Sequence, residues 1–176
     1  MAQQVDWTME MMDDDDEIDA MANRYLLFHV AKEDYGIGIE YVIEIIGLQK
    51  VTEIPDMPNF VKGVINLRGQ VIPVIDIRTR FGIEFKAYTD RTCVIVVNLR
   101  DMKIGVIVDG MAEVQEITED QISPPSPIQN SVARRYIKGM GRVGEEVKIL
   151  LDLEKLLFEK ELEQLAADTG NTRERS

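Results

Sequence analysis

From Tyr25 onward the chain reads as short apolar runs broken by turn residues. "YLLFHV" predicts a strand, and "YGIGIE" sets Tyr35, Ile37 and Ile39 on one face of the next, with a turn in the "AKEDYG" link. "GVINL" and "QVIPVID" predict a hairpin through Arg68-Gly69. Pro73 lacks a ladder donor, which places its strand at a sheet edge or on a bulge. "TCVIVVNL" and "KIGVIVD" predict a second hairpin turning at Arg100-Asp101. "DG" at 109–110 marks a tight turn before "MAEVQEI", and "YIKGMGRV" and "VKILLDL" supply the last strands. Two stretches follow a helical period instead. "YVIEIIG" spaces Val42, Ile45 and Ile46 as a short helix closed by Gly47. Residues 153–166 form an amphipathic pattern with Leu153, Leu156, Leu157 and Phe158 on the apolar side. "VTEIPDMPNF" reads as loop or edge strand, and "SPPSP" at 123–127 as loop.

Two of these stretches echo each other. "FVKGVINLRGQVIPVIDIRTRF" (60–81) aligns without a gap on "YIKGMGRVGEEVKILLDLEKLL" (136–157), 76 positions on. Lys62 meets Lys138, Gly63 meets Gly139 and Asp76 meets Asp152. The echo predicts two similar β units, each ending in a helical turn capped by its aspartate. At the position of Arg68 the second unit has Gly144, so the hairpin itself does not require arginine. An arginine that a turn does not need is a candidate contact residue.

Charge separates the middle of the chain from its ends. The net charge is −12, yet residues 1–24 carry −7 and residues 159–176 carry −2, leaving 25–158 near balance. Residues 1–23, with "DDDDE" and scattered Met, predict an acidic mobile tail, and "TGNTRERS" a frayed end. The basic footprint of a nucleic-acid binder is missing. A single cysteine fits a reducing compartment. No run approaches membrane-span length, and nothing resembles a signal peptide, so the expectation is a soluble, cytoplasmic protein.

Catalytic constellations find little material. One histidine, His29, and one cysteine, Cys93, cannot assemble a histidine triad or a histidine metal cluster. No phosphate-binding glycine loop is present, and "YGIGIE" lies within strand alternation. Asp76 after "VIPVI" has the position of a phospho-accepting aspartate at a strand end, but the acidic pair, the lysine and the alternating βα units of such a site are missing. The residue census favours binding over catalysis, with no cofactor or metal expected.

The phrases "YLLFHVAKEDYGIGIEYVIEIIG", "MPNFVKGVINLRGQVIPVIDIRTRFG", "VIVVNLRDMKIGVIVDGMAEV" and "YIKGMGRVGEEVKILLDLEKLL" together resemble the CheW family of chemotaxis coupling proteins. The resemblance covers about residues 24–158, with the acidic segment before it outside the family pattern. It implies a mainly β fold: two SH3-like five-stranded β-barrel subdomains around a shared hydrophobic core, with short helices and a C-terminal helix. It also implies a non-enzymatic scaffold that binds the cytoplasmic tip of methyl-accepting chemoreceptors and the regulatory domain of the histidine kinase CheA. Recruitment to membrane-bound receptor arrays would follow. A CheW-like module serving another receptor–kinase pathway is the alternative. By position in the motifs, the resemblance assigns Arg68 to coupling and Glu44 to a pair with it. The resemblance also implies that Val42, Gly63, Val94, Met111 and Val114 belong to partner surfaces or their groove, an apolar groove that would accept one face of a receptor helix.

Overall fold

The computed structural model describes residues 23–125 and 132–158. The tail at the N-terminus, the last two residues of "SPPSP", the end of the C-terminal helix pattern and "TGNTRERS" lie outside the described residues. The chain opens with a hairpin of β1 (Arg24–Val30) and β2 (Glu33–Gly38), passes a 3-10 turn at Ile39–Tyr41, and continues into β3 (Val42–Gly47). Next come β4 (Val61–Leu67), β5 (Gln70–Asp76), the short helix α1 (Ile77–Arg80), β6 (Cys93–Leu99) and β7 (Met102–Val108). The last part holds β8 (Gly110–Glu116), β9 (Ile122–Ser123), β10 (Ile137–Val143), β11 (Glu146–Leu151) and α2 (Leu153–Phe158).

These strands make two sheets, ordered β8-β1-β2-β11-β10-β9 and β3-β6-β7-β5-β4. The second sheet with α1 is unit I, and the first with α2 is unit II. The chain therefore starts in unit II, builds all of unit I, and returns to finish unit II. The 76-residue echo is a structural repeat. Each copy has a bulge at its lysine, between Val61 and Gly63 in β4 and between Ile137 and Gly139 in β10. In each, the capping aspartate's amide donates to the carbonyl of the leading aromatic, Asp76 to Phe60 and Asp152 to Tyr136, both at 2.8 Å. Each copy's second strand then runs parallel to a strand of the other hairpin, β5 to β7 and β11 to β2. Asp76 caps α1 by accepting from the Arg78 amide at 2.9 Å, and Asp152 accepts from the Lys155 amide at 3.2 Å.

The main core lies between the units. Ile75, Ile95, Val97 and Val106 of unit I meet Leu26, Phe28, Ile37 and Leu151 of unit II in one cluster. The opposite faces hold smaller cores, Val74, Val94, Val96 and Ile107 in unit I and Tyr25, Leu27, Ile117 and Leu150 in unit II. Central strands are thus buried on both faces. This explains why "CVIVVNL" is a continuous apolar run rather than an alternating one.

Two expectations need correction. Residues 42–47 are strand, not helix, and pair with β6. The ladder shifts between Val42 and Glu44, so Val42 opposes Val97 while Ile45 opposes Ile95. The extra residue at Ile43 gives two same-face residues a spacing of three, which imitates a helical period. The β-branched content of "VIEII" was the better guide. Pro73 also lies in an interior strand, since β5 pairs on both sides. Counting from the closing Leu67–Gln70 pair of the hairpin, the Pro73–Val64 pair is a non-hydrogen-bonded one. The proline's missing donor therefore faces β7, whose pairing begins only at Val74.

Candidate partner surfaces

The β4–β5 tip is a two-residue turn with positive φ at both centres, 49° at Arg68 and 87° at Gly69. Such a turn matches the right-handed twist of the strands. The Asn66 side chain accepts the Gly69 amide at 3.0 Å and fixes the tip. From it the Arg68 guanidinium reaches β3 and pairs with the Glu44 carboxylate. The pair rims a hollow of ≈ 230 Å³ on unit I, whose other walls include Ile43, Leu67, Val96 and Lys103. Lys103 donates to Gln70 across it at 2.9 Å. The Arg68 side chain is 69% exposed, so the held guanidinium stays open to an acceptor from outside.

Strands β3 and β8 end their sheets and occupy matching places in the two units. Met111 opposes Phe28 and Val114 opposes Leu26, with a ladder shift between them as in β3. Val42 therefore corresponds to Met111, and Ile45 to Val114. The first pair is half-buried against the shared core. The second pair is exposed, 44% for Ile45 and 47% for Val114. Three of the positions named by resemblance thus form part of a two-fold pattern. Sequence reasoning missed its fourth member, Ile45, because it had assigned β3 to a helix.

A groove of ≈ 740 Å³ runs between the units. Unit II contributes His29, Ala31, Gly110 and Met111, and unit I contributes Lys86, Arg91 and Cys93. Asp109, at the crossing from β7 to β8, lies in it. Its carboxylate accepts Nε and Nη2 of Arg78 at 2.7–3.0 Å and the Ala31 amide at 2.8 Å. Burial alone would raise the Asp109 carboxyl, but the Arg78 guanidinium and the Ala31 amide outweigh it and hold it below the ordinary carboxylate value. Burial pushes the Cys93 thiol up, which suits a small apolar strand residue rather than a nucleophile. His29 is exposed and pairs with Asp34, which also accepts Lys148 at 2.6 Å.

The remaining positions lie deeper. Gly63 has φ +146°, and a Cβ there would sit 2.0 Å from the Thr52 carbonyl oxygen. Its absent side chain is what lets the 48–60 segment bridge to β4 at Val64. Val94 is 0% exposed inside unit I, so it shapes a surface only from beneath. Asp76 is 1% exposed, and its second oxygen accepts the Tyr88 hydroxyl at 2.8 Å. A carboxylate so enclosed is a cap, not a phosphate acceptor. The structure brings Glu44 and Arg68 together, and it places Met111, but not Arg68, on the inter-unit groove.

Among the described residues the fold is a two-unit β module with an arginine-tipped hairpin, edge strands that expose apolar side chains and a groove between its halves. Residues 24–161 match the CheW-like domain, and the chain belongs to that family. It is 40% identical over 144 residues to the chemotaxis protein CheW of Klebsiella aerogenes, covering 82% of this chain and 87% of that one. It is 34% identical over 143 residues to the chemotaxis protein CheW of Treponema pallidum, covering 79% and 84%. The crystal structure of the scaffolding protein TtCheW from Thermoanaerobacter tengcongensis superposes with a TM-score of 0.73 at 35% identity, over 80% of this chain and 97% of that one. Among the described residues no helix is long and apolar enough to cross a membrane.

Proposed function

We propose that this chain is a chemotaxis coupling adaptor that joins chemoreceptors to the histidine kinase CheA through two surfaces. The inter-unit groove, with Met111 in its wall, takes one face of a receptor hairpin helix. The Arg68–Glu44 tip and the neighbouring edge strand β3, where Ile43 and Ile45 are 43% and 44% exposed, take the β-rich regulatory domain of the kinase. An open sheet edge suits a β partner, and a groove suits a helix. No bond is made or broken. The adaptor acts by fitting the active and inactive arrangements of receptor and kinase unequally well.

The observation that carries this reading is the Arg68–Glu44 pair, set on a turn where the second unit uses glycine, in a chain of the CheW-like family. Titration with a receptor-tip fragment and, separately, with the kinase regulatory domain tests the division of surfaces. Met111→Glu is expected to weaken the receptor fragment at least tenfold and the kinase domain less than threefold, with Arg68→Glu showing the reverse. Equal losses for both partners from either substitution would contradict it.

A further inference from the structure

The groove has walls from two units, and one side chain holds both. Arg78 lies on α1 beneath it, with its side chain 11% exposed. Two of its nitrogens grip Asp109, 2.9 Å and 3.0 Å from Nε and 2.7 Å from Nη2. Asp109 in turn binds the Ala31 amide of the β1–β2 turn at 2.8 Å, and its own amide donates to the His29 carbonyl at 3.0 Å. This fixes the unit II wall. The third nitrogen of Arg78, Nη1, donates to the Glu84 carbonyl at 3.0 Å. Glu84 belongs to the 82–92 segment, which has no regular secondary structure and forms the unit I wall with Lys86 and Arg91.

We infer that Arg78 is a positioning residue for the partner groove, a planar fork that sets the spacing of its two walls. The role needs three donors aimed from one rigid plane, which a guanidinium supplies and an ammonium does not. The repeat supports a specific task. The position equivalent to Arg78 in α2 is Glu154, which makes an inter-unit pair of opposite sign with Arg100, at 2.9 Å and with 51% and 45% exposure. The fold is thus satisfied by an exposed contact at that place. Only the copy beside the groove is a buried fork reaching both walls.

The inference rests on the groove being the receptor surface, and the test separates the two claims. Arg78→Lys and Asp109→Asn are compared with wild type by amide exchange and by titration with a receptor-tip fragment and the kinase regulatory domain. Expected is at least a tenfold rise in exchange confined to residues 82–92 and 29–32. Receptor-fragment affinity falls at least fivefold, and kinase-domain affinity changes less than twofold. An Arg78→Asp/Asp109→Arg swap restores the charge pair but leaves the Ala31 amide without an acceptor, so protection at 29–32 should not return. Unchanged exchange at both walls overturns the inference. Exchange that rises uniformly across both sheets also overturns it, since Arg78 would then be only a stabilising residue. If exchange changes as expected but wild type does not bind the receptor fragment, the positioning role stands and the assignment of the groove fails.

Discussion

Arg68 holds a left-handed backbone at φ 49°, and its counterpart Gly144 holds one at φ 63°. A side chain in that region costs about 1–2 kcal/mol that glycine avoids. The exposed pair with Glu44 returns at most about 1 kcal/mol of it. Arg68→Gly should therefore leave stability unchanged or raise it by up to about 1 kcal/mol, while abolishing coupling to the kinase. A urea midpoint and a binding titration on one preparation check both halves. Gly63→Ala should act in the opposite sense, through a collision with the Thr52 carbonyl 2.0 Å away. Its cost should exceed about 3 kcal/mol, visible in the same urea midpoint. The sequence made Arg68 legible because its repeat partner is glycine. It could not reveal why Gly63 is glycine, since the approaching backbone comes from a loop with no pairing signal of its own.

At the scale of elements, each unit's short helix is tied to a hairpin turn of the other unit. Arg78 of α1 reaches Ala31 through Asp109, and Glu154 of α2 reaches Arg100. Exposure decides which tie matters for stability. Glu154→Ala should cost under about 1 kcal/mol, as exposed pairs do. Asp109→Ala should cost about 2–4 kcal/mol, because it strands a guanidinium that is 11% exposed. Thermal or urea unfolding of the two variants separates these outcomes. The Asp109 carboxyl is held below its unfolded value, so its contribution is complete above the ordinary carboxylate range and is lost as pH falls through the folded value. The gap in urea midpoint between wild type and Asp109→Asn should accordingly narrow as pH is lowered from about 6 to about 3. Helix caps and hairpins could be read from the sequence, since their signals are local. The ties could not, because they join residues 31 and 54 positions apart. β3 was misread for a different reason: a bulge gave a strand the spacing of a helix.

The whole molecule is two interlocked halves rather than two successive domains. Unit II is built from both ends of the described chain around unit I, and the largest core lies between them. Heat or denaturant should therefore unfold them in a single transition, with coincident loss of signal from both units. The resemblance to the family anticipated a mainly β fold of two units with a shared core, and the echo located half of each unit. The correspondence of Val42 with Met111 and of Ile45 with Val114 needed the register of both edge strands. On one such scaffold the proposed adaptor would hold receptor and kinase together, with Arg68 as a contact the fold does not need. The most direct test of this role is kinase activity in a reconstituted mixture of receptor-containing membranes, CheA and this protein, compared with Arg68→Glu shown to be folded by its unfolding midpoint. Wild type should join the membranes and raise kinase activity while Arg68→Glu does neither. Equal activation by the two proteins, or no activation by wild type with its cognate receptor and kinase, would contradict the proposed role.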